Sequence, residues 1–260
     1  MKKRKTNIQW ERLIYGGAAI LLFLVIWQIL VKPGSAKFAT PLEVGEFILQ
    51  HITTKVGPCT IWGHAGWSLS RVGVGYILAA AAGIVLALLM SQSKVCNIIL
   101  HPLFDLLRPI PPIAWVPLAI LWFGIFEKAK YFIIFIGAFV PFVMNTYTGA
   151  VRVDKKLIDA ALMLGTPPRT IFFRVVFPAI VPQIFAGAQV ALTNAWMTVI
   201  GAEMARATEG VGWMILKGME NADMAQIVSG MAVIGVTGFL IAALMRWLEK
   251  HLIKWNVRER

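Results

Sequence analysis

The polar side chains that stand out in this sequence do so by where they sit rather than by any reactive pairing. Gln183, Gly187, Asn194, Thr198 and Gly201 recur at helical spacing through an otherwise apolar run, which puts a polar and small-residue stripe on one side of a helix. Such a stripe has two uses. It lines a path, its amides and hydroxyls replacing part of a solute's hydration, or it packs helices closely through small residues and hydrogen bonds. Glu203 falls on the opposite side if the helix is continuous, as an interfacial or structural carboxylate, with Arg206 its nearest basic neighbour in sequence. Pro109, Pro111, Pro112 and Pro117 surround Trp115. Each proline removes an amide donor, so a regular helix is interrupted there and the freed carbonyls need partners in protein or water. A gate or hinge and a static bend are both open for this segment.

Covalent and metal chemistry has little to work with. His64 and His101 are isolated from any metal-ligand spacing. Cys59 and Cys96 fall in segments that the topology below puts on opposite sides of a membrane, so they cannot pair within the chain. No Gly-rich loop ending in Lys and Ser or Thr is present to cradle nucleotide phosphates. An intramembrane enzyme would need paired carboxylates or a Ser or His dyad at mid-depth, and the apolar runs offer neither. An ion-coupled secondary transporter would show repeated halves and buried ionisable groups, and neither is evident.

The elements that hold these residues are membrane spans. With 58% hydrophobic and 15% charged residues among 260, the chain departs from soluble composition on both counts. About six apolar runs follow: Leu13 to Val31, Leu69 to Met90, Ile110 to Phe126, Tyr131 to Ala150, Ile180 to Ala202 and Ile227 to Trp247. Each is of a length suited to ~30 Å of hydrocarbon. The basic start Lys2-Lys3-Arg4-Lys5 resembles a signal peptide, but no small-residue cleavage site follows, so the first run reads as a retained span. The net charge of +12 does not gather on one face as nucleic-acid binding requires. It sits between spans, at Lys94 and Arg108, at Arg152, Lys155, Lys156, Arg169 and Arg174, and near both termini. This distribution predicts cytoplasmic termini. Trp10, Trp67, Trp247 and Trp255 read as interfacial anchors. The expectation is an all-α polytopic membrane protein. Residues 1–66 hold the first span and an outer loop with a short helix from Leu42 to His51, 67–250 the core with cytoplasmic helices at 152–178, and 251–260 a basic tail.

One connection is more than a turn. Between the fourth and fifth runs, Asp154 is placed to cap a helix whose Leu157, Ala160, Ala161 and Leu164 recur at i, i+3, i+4 and i+7, and Gly165 stands where a C-terminal cap belongs. Thr166-Pro167 offers a cap and first-turn proline for a second helix through Phe172 and Phe173, which Pro178 is expected to stop. The apolar side of this hairpin needs a home on the membrane surface, on the chain's own spans or in a partner's groove.

Within the hairpin, Asp159-Ala160-Ala161, three residues, Gly165, nine residues, then Val175-Val176-Phe177-Pro178 resembles the EAA signature of permease subunits of bacterial ABC importers. Asp replaces Glu, Val replaces Ile and Phe replaces Leu, while the spacing holds. Arg108-Pro109-Ile110-Pro111-Pro112-Ile113-Ala114-Trp115-Val116-Pro117, running on to Leu121-Trp122-Phe123-Gly124, is similar to a motif of permeases for nitrate, sulfonate and taurine. So is Gly201-Ala202-Glu203-Met204 with Arg206-Ala207-Thr208 and Gly210-Val211-Gly212. The resemblance covers the chain from about Pro41 to Trp247. It implies a type I permease fold in the inner membrane, pairing with a second copy, two cytoplasmic ATPase subunits and an external substrate-binding protein. ATP and magnesium would be bound by the ATPases and no cofactor by this chain. Asp159, Ala160, Ala161, Gly165 and Pro178 would then couple to the ATPase. Gln183, Asn194, Thr198 and Gly201 are the candidates for the pathway, and Pro109, Pro111, Pro112 and Trp115 for a gate or hinge.

Overall fold

The structure is a computed structural model that describes residues 2–35 and 37–252, with side chains described from Glu11 onward apart from positions 12, 13, 36 and 206. The side chain of Trp10, the tail 253–260 with Trp255, and the side chain of Arg206 lie outside the described residues. In chain order the elements are α1 (Lys2–Leu30), α2 (Pro41–His51), α3 (Ile61–Gln92), α4 (Lys94–Leu107), a 3-10 turn (Pro112–Trp115) leading into α5 (Val116–Phe123), α6 (Glu127–Val151), α7 (Lys155–Met163), α8 (Pro168–Ile171), a π segment (Phe172–Val176), α9 (Phe177–Arg206), α10 (Val211–Glu220) and α11 (Met224–Leu252). Every one of them is helical.

Local chemistry sets several of these boundaries. Thr40 and Glu43 cap α2 reciprocally, with the Thr40 N–H donating to Glu43 Oε2 at 2.7 Å and the Glu43 N–H to Thr40 Oγ1 at 3.3 Å. Thr60 caps α3 by accepting from the Gly63 N–H at 3.2 Å. That cap starts α3 at Ile61, a full two turns before the expected Leu69, because polar residues on the first turns face protein instead of water.

The centre of the molecule is the packing of α3, α6 and α9 around Val72, Ala79, Ile134, Ala138, Phe142 and Ala195. Small residues let the backbones approach. A Cβ added at Gly75 of α3 would lie 2.6 Å from Ile134 Cγ2, and one at Gly83 2.9 Å from Phe142 Cβ.

Among the described residues, four helical stretches are long and apolar enough to cross a membrane: α3, α6, the continuous unit Pro168–Ala205, and α11. The third expected span is different. In place of one helix over Ile110 to Phe126, α4 and the segment Pro112–Phe123 meet at 91°. Pro109, Pro111 and Pro112 cause the break, since no regular backbone ladder passes through them. Pro112–Phe123 is roughly 20 Å long, too short to cross alone, so the bent pair counts as at most a fifth span. The apolar part of α1, Ile14–Leu30, is shorter than the other four. α4 and α10 were not anticipated as helices. Pro102 inside α4 and the polar flanks of α10 read locally as connections.

Candidate functional site

The hairpin between α6 and α9 is built by local rules. Asp154 Oδ1 accepts from the Lys156 N–H at 2.9 Å and starts α7. Gly165 ends it with φ +71°. There the Thr166 N–H donates to Ala161 O at 3.1 Å and the Gly165 N–H to Leu162 O at 2.9 Å, the paired bonds of a Schellman cap. Ile158 and Ala161 turn inward onto Ile171, Val176 and Ile180. Leu157, Leu162, Met163 and Leu164 turn outward, with 54%, 50%, 89% and 85% of their surfaces exposed. Asp159 and Ala160 are exposed beside them. The expected apolar stripe is thus divided: Ala161 packs on the chain, while Leu157, Ala160 and Leu164 face away from it.

Two expectations for the second helix are corrected. Its N-cap is Pro167, with Pro168 in the first turn, rather than Thr166 and Pro167. Pro178 does not stop it. The chain widens into the π segment, the Phe177 N–H donates back to Phe172 O, and α9 continues with Pro178 in its first turn. The wider turn carries the chain past the carbonyl that a proline ring would strike in a regular helix. The hairpin therefore joins α9 without a loop.

The α9 stripe mostly meets α6. Gln183 fills the space that Gly149 leaves, where an added Cβ would lie 2.6 Å from Gln183 Cβ. Gly187 receives Asn145, whose Cβ would be 2.7 Å away, and Thr198 lies over Gly137 with its Oγ1 2.6 Å from an added Cβ. Thr198 Oγ1 donates to Asn194 O at 2.7 Å. Gly201 abuts Ile113 of the proline segment. Asn194 is placed differently. It lines a recess of about 280 Å³ together with Arg108, Pro112, Trp115 and aromatic residues of α4 and α6. Trp115 closes the 3-10 turn and meets Phe132 edge-on at 6.4 Å. Pro109 and Pro111 are exposed at the bend. Arg108, expected in a connection between spans, lies against α6 with Nη1 3.6 Å from Met144 Sδ.

A third constellation lies at the end of the bundle opposite α7, and sequence reasoning did not find it. Arg71 of α3 is fully buried and forms a fork on Glu127 at the start of α6, with Nε and Nη2 donating at 2.7 and 2.9 Å. Its Nη1 donates to Glu203 Oε1 at 2.8 Å and to Glu209 O at 2.7 Å. Glu203, also fully buried, accepts from Ser68 Oγ and from the Gly212 N–H at 2.9 Å. Lys130 Nζ reaches Glu127 at 2.6 Å. His64 accepts from the Gly210 N–H at its Nδ1 (3.1 Å), so its Nε2 carries the proton and donates to Val56 O at 2.8 Å. Arg71 is a partner of Glu203, while the side chain of Arg206, the nearest basic neighbour in sequence, lies outside the described residues. One signal was available: His64, Ser68 and Arg71 stand at i, i+4 and i+7, one helix face. Among the described residues no group of His, Cys, Asp and Glu is arranged to hold a metal.

A tightly packed apolar bundle with a broken helix against its middle, and a helical hairpin fused to a spanning helix, is the architecture of a multi-pass membrane protein. The family model for the inner membrane component of binding-protein-dependent transport systems matches residues 79–257, and the chain belongs to that family. A putative ABC transporter permease protein of Methanocaldococcus jannaschii is 41% identical over 190 residues, covering 73% of this chain and 71% of that protein. The taurine transport system permease protein TauC of Escherichia coli is 30% identical over 247 residues, covering 92% and 88%. The nitrate import permease protein NrtB of Synechocystis is 32% identical over 260 residues, covering 96% and 94%. The permease fold also matches a chain from the inward-facing MetNI methionine ABC transporter, with a TM-score of 0.61 and 16% identity over 75% of this chain and 95% of that one. The chain is a permease subunit and not itself an enzyme.

Proposed function

We propose that this chain forms half of the translocation pathway of an ATP-binding-cassette importer for a small anion. A second copy completes the pathway, an external binding protein delivers the substrate, and two ATPase subunits on the side of α7 bind ATP and magnesium. On this reading both termini and the hairpin are cytoplasmic, Lys155, Lys156 and Arg169 face lipid headgroups, and transport proceeds by alternating access. The basic charge around α7 and the anionic substrates named for TauC and NrtB support it.

The observation that carries the proposal is the outward apolar tip of α7. Leu157, Met163 and Leu164 are exposed on a helix capped firmly at both ends, and such a face fits a groove on a partner. Asp159, Ala160 and Ala161 lie on the same short helix, Gly165 provides its cap, and Pro178 sits where the π segment enters α9. A nucleotide-driven movement of the groove would therefore pass from α7 through its packing on Ile171, Val176 and Ile180 into a helix continuous with the spans.

The test is uptake by vesicles holding the permease, its ATPase subunits and the binding protein. Leu157→Glu with Leu164→Glu should lower ATP-driven uptake at least tenfold and weaken co-purification of the ATPase, while the chain still inserts and elutes as wild type. Undiminished uptake by this variant would remove the coupling role.

A further inference from the structure

The recess at the helix break has a chemistry that its role as a bend does not require. It lies against Phe132, Phe135, Gly137 and Val140 of α6, and Gly137 is roughly 15 Å from the start of that helix. Since α6 spans the bilayer, the recess is near the midplane. Arg108 lines it. Its side chain is half exposed and reaches Met144, about 10 Å from the end of α6, so the guanidinium sits at the rim of the recess facing that end. Its only acidic partner among the described residues is Asp105, at 3.7 Å and half exposed, a contact too long for a firm ion pair. No acidic side chain lines the recess itself. On the α9 side Asn194 presents an amide that takes part in no side-chain hydrogen bond among the described residues. Trp115, in the wall, has a buried indole N–H with no acceptor, an uncommon state for a buried donor. The remaining wall is largely aromatic, from Phe104, Phe132, Phe135 and Phe139.

We infer that this recess is a mid-membrane station for an organic anion with a flat apolar body, its charged group held by Arg108 and Asn194 and its body set among the aromatic rings. The inference rests on the permease reading above and narrows its substrate class. A volume of about 280 Å³ is that of roughly nine waters, far more than a bare inorganic oxyanion fills. An aromatic sulfonate or carboxylate matches both parts: oxygens for a guanidinium, an amide and an indole N–H, and a ring for the phenylalanines.

The permease with its ATPase subunits, in nanodiscs and without the binding protein, is titrated with radiolabelled benzenesulfonate. Saturable binding is expected, with nitrate at least tenfold weaker as a competitor. Arg108→Gln should weaken binding at least tenfold, and Trp115→Phe, which keeps a ring but removes the N–H, a few-fold. Ile136→Trp, which fills the recess without touching a charge, should abolish binding and serves as the second variant if Arg108→Gln fails to assemble. Absent saturable binding, binding indifferent to all three changes, or nitrate competing as well as benzenesulfonate each overturns the inference. ATP-driven uptake by a complex that binds no probe in the recess leaves the permease reading standing and sinks only this one. A chain that neither retains ATPase subunits nor transports sinks the permease reading itself.

Discussion

Arg71 shows what a buried charge needs in an apolar bundle. Its guanidinium has no exposed surface and survives because its donors are taken by Glu127, Glu203 and the Glu209 carbonyl. Arg71→Ala would leave Glu203 buried with only Ser68 and the Gly212 N–H, and should cost about 3–5 kcal/mol, read as a lowered melting temperature of the purified protein. Arg71→Lys keeps the charge without the planar fork and should fall between the two. A melting temperature unchanged by Arg71→Ala would mean that the carboxylates find other partners. Little of this was visible beforehand, because the partners lie 56, 132 and 138 residues away in sequence. Gly165 and Asp154 were legible for the opposite reason: a cap answers to neighbours within four residues, so local spacing is enough.

At the scale of elements, the apolar periods located α3, α6, α9 and α11 and missed what prolines do in company. Pro109, Pro111 and Pro112 marked a disturbance, but the 91° turn follows from how α4 and α5 each pack on α6, which no local pattern records. Pro178 misled in the other direction. A lone proline normally ends a helix, whereas the π segment before it accommodates the ring, and one extra residue in a turn leaves no mark on hydrophobic period. The wide turn absorbs that residue, since five residues at about 82° each sweep nearly the same arc as four at about 100°, so α7 keeps its angular position about the axis of α9. Inserting one Ala between Ala179 and Ile180, within the regular α turns of α9, should instead rotate the hairpin by about 100° relative to the spans. The expected result is unchanged helicity by circular dichroism and loss of uptake with continued ATP hydrolysis; coupled uptake by the insertion variant would show that the hairpin's angle is unimportant.

For the molecule as a whole, α3, α6 and α9 share one core and one ionic cluster, so they should move as a single body during transport. The Gly137–Thr198 contact offers a direct check, since a Cβ at Gly137 would lie 3.3 Å from Thr198 Cβ, close to disulfide geometry. With Cys59 and Cys96 replaced by Ser, Gly137→Cys with Thr198→Cys should transport equally well oxidised and reduced. Loss of uptake on oxidation alone would show that α6 and α9 slide past each other. Fold class was plain from composition because lipid demands long charge-free helices wherever the chain crosses it. The recess was not, because its walls come from α4, the proline segment, α6 and α9 and meet only in the folded chain.

The fusion of the hairpin to α9 has a mechanical corollary. From Pro168 onward the rod has no joint and stores no slack, so a displacement applied there arrives roughly 50 Å away, at the Glu203 end, with its size and timing intact. The compliance of the machine must then reside at that far face, in how readily the salt-bridged corner can tilt against whatever adjoins it.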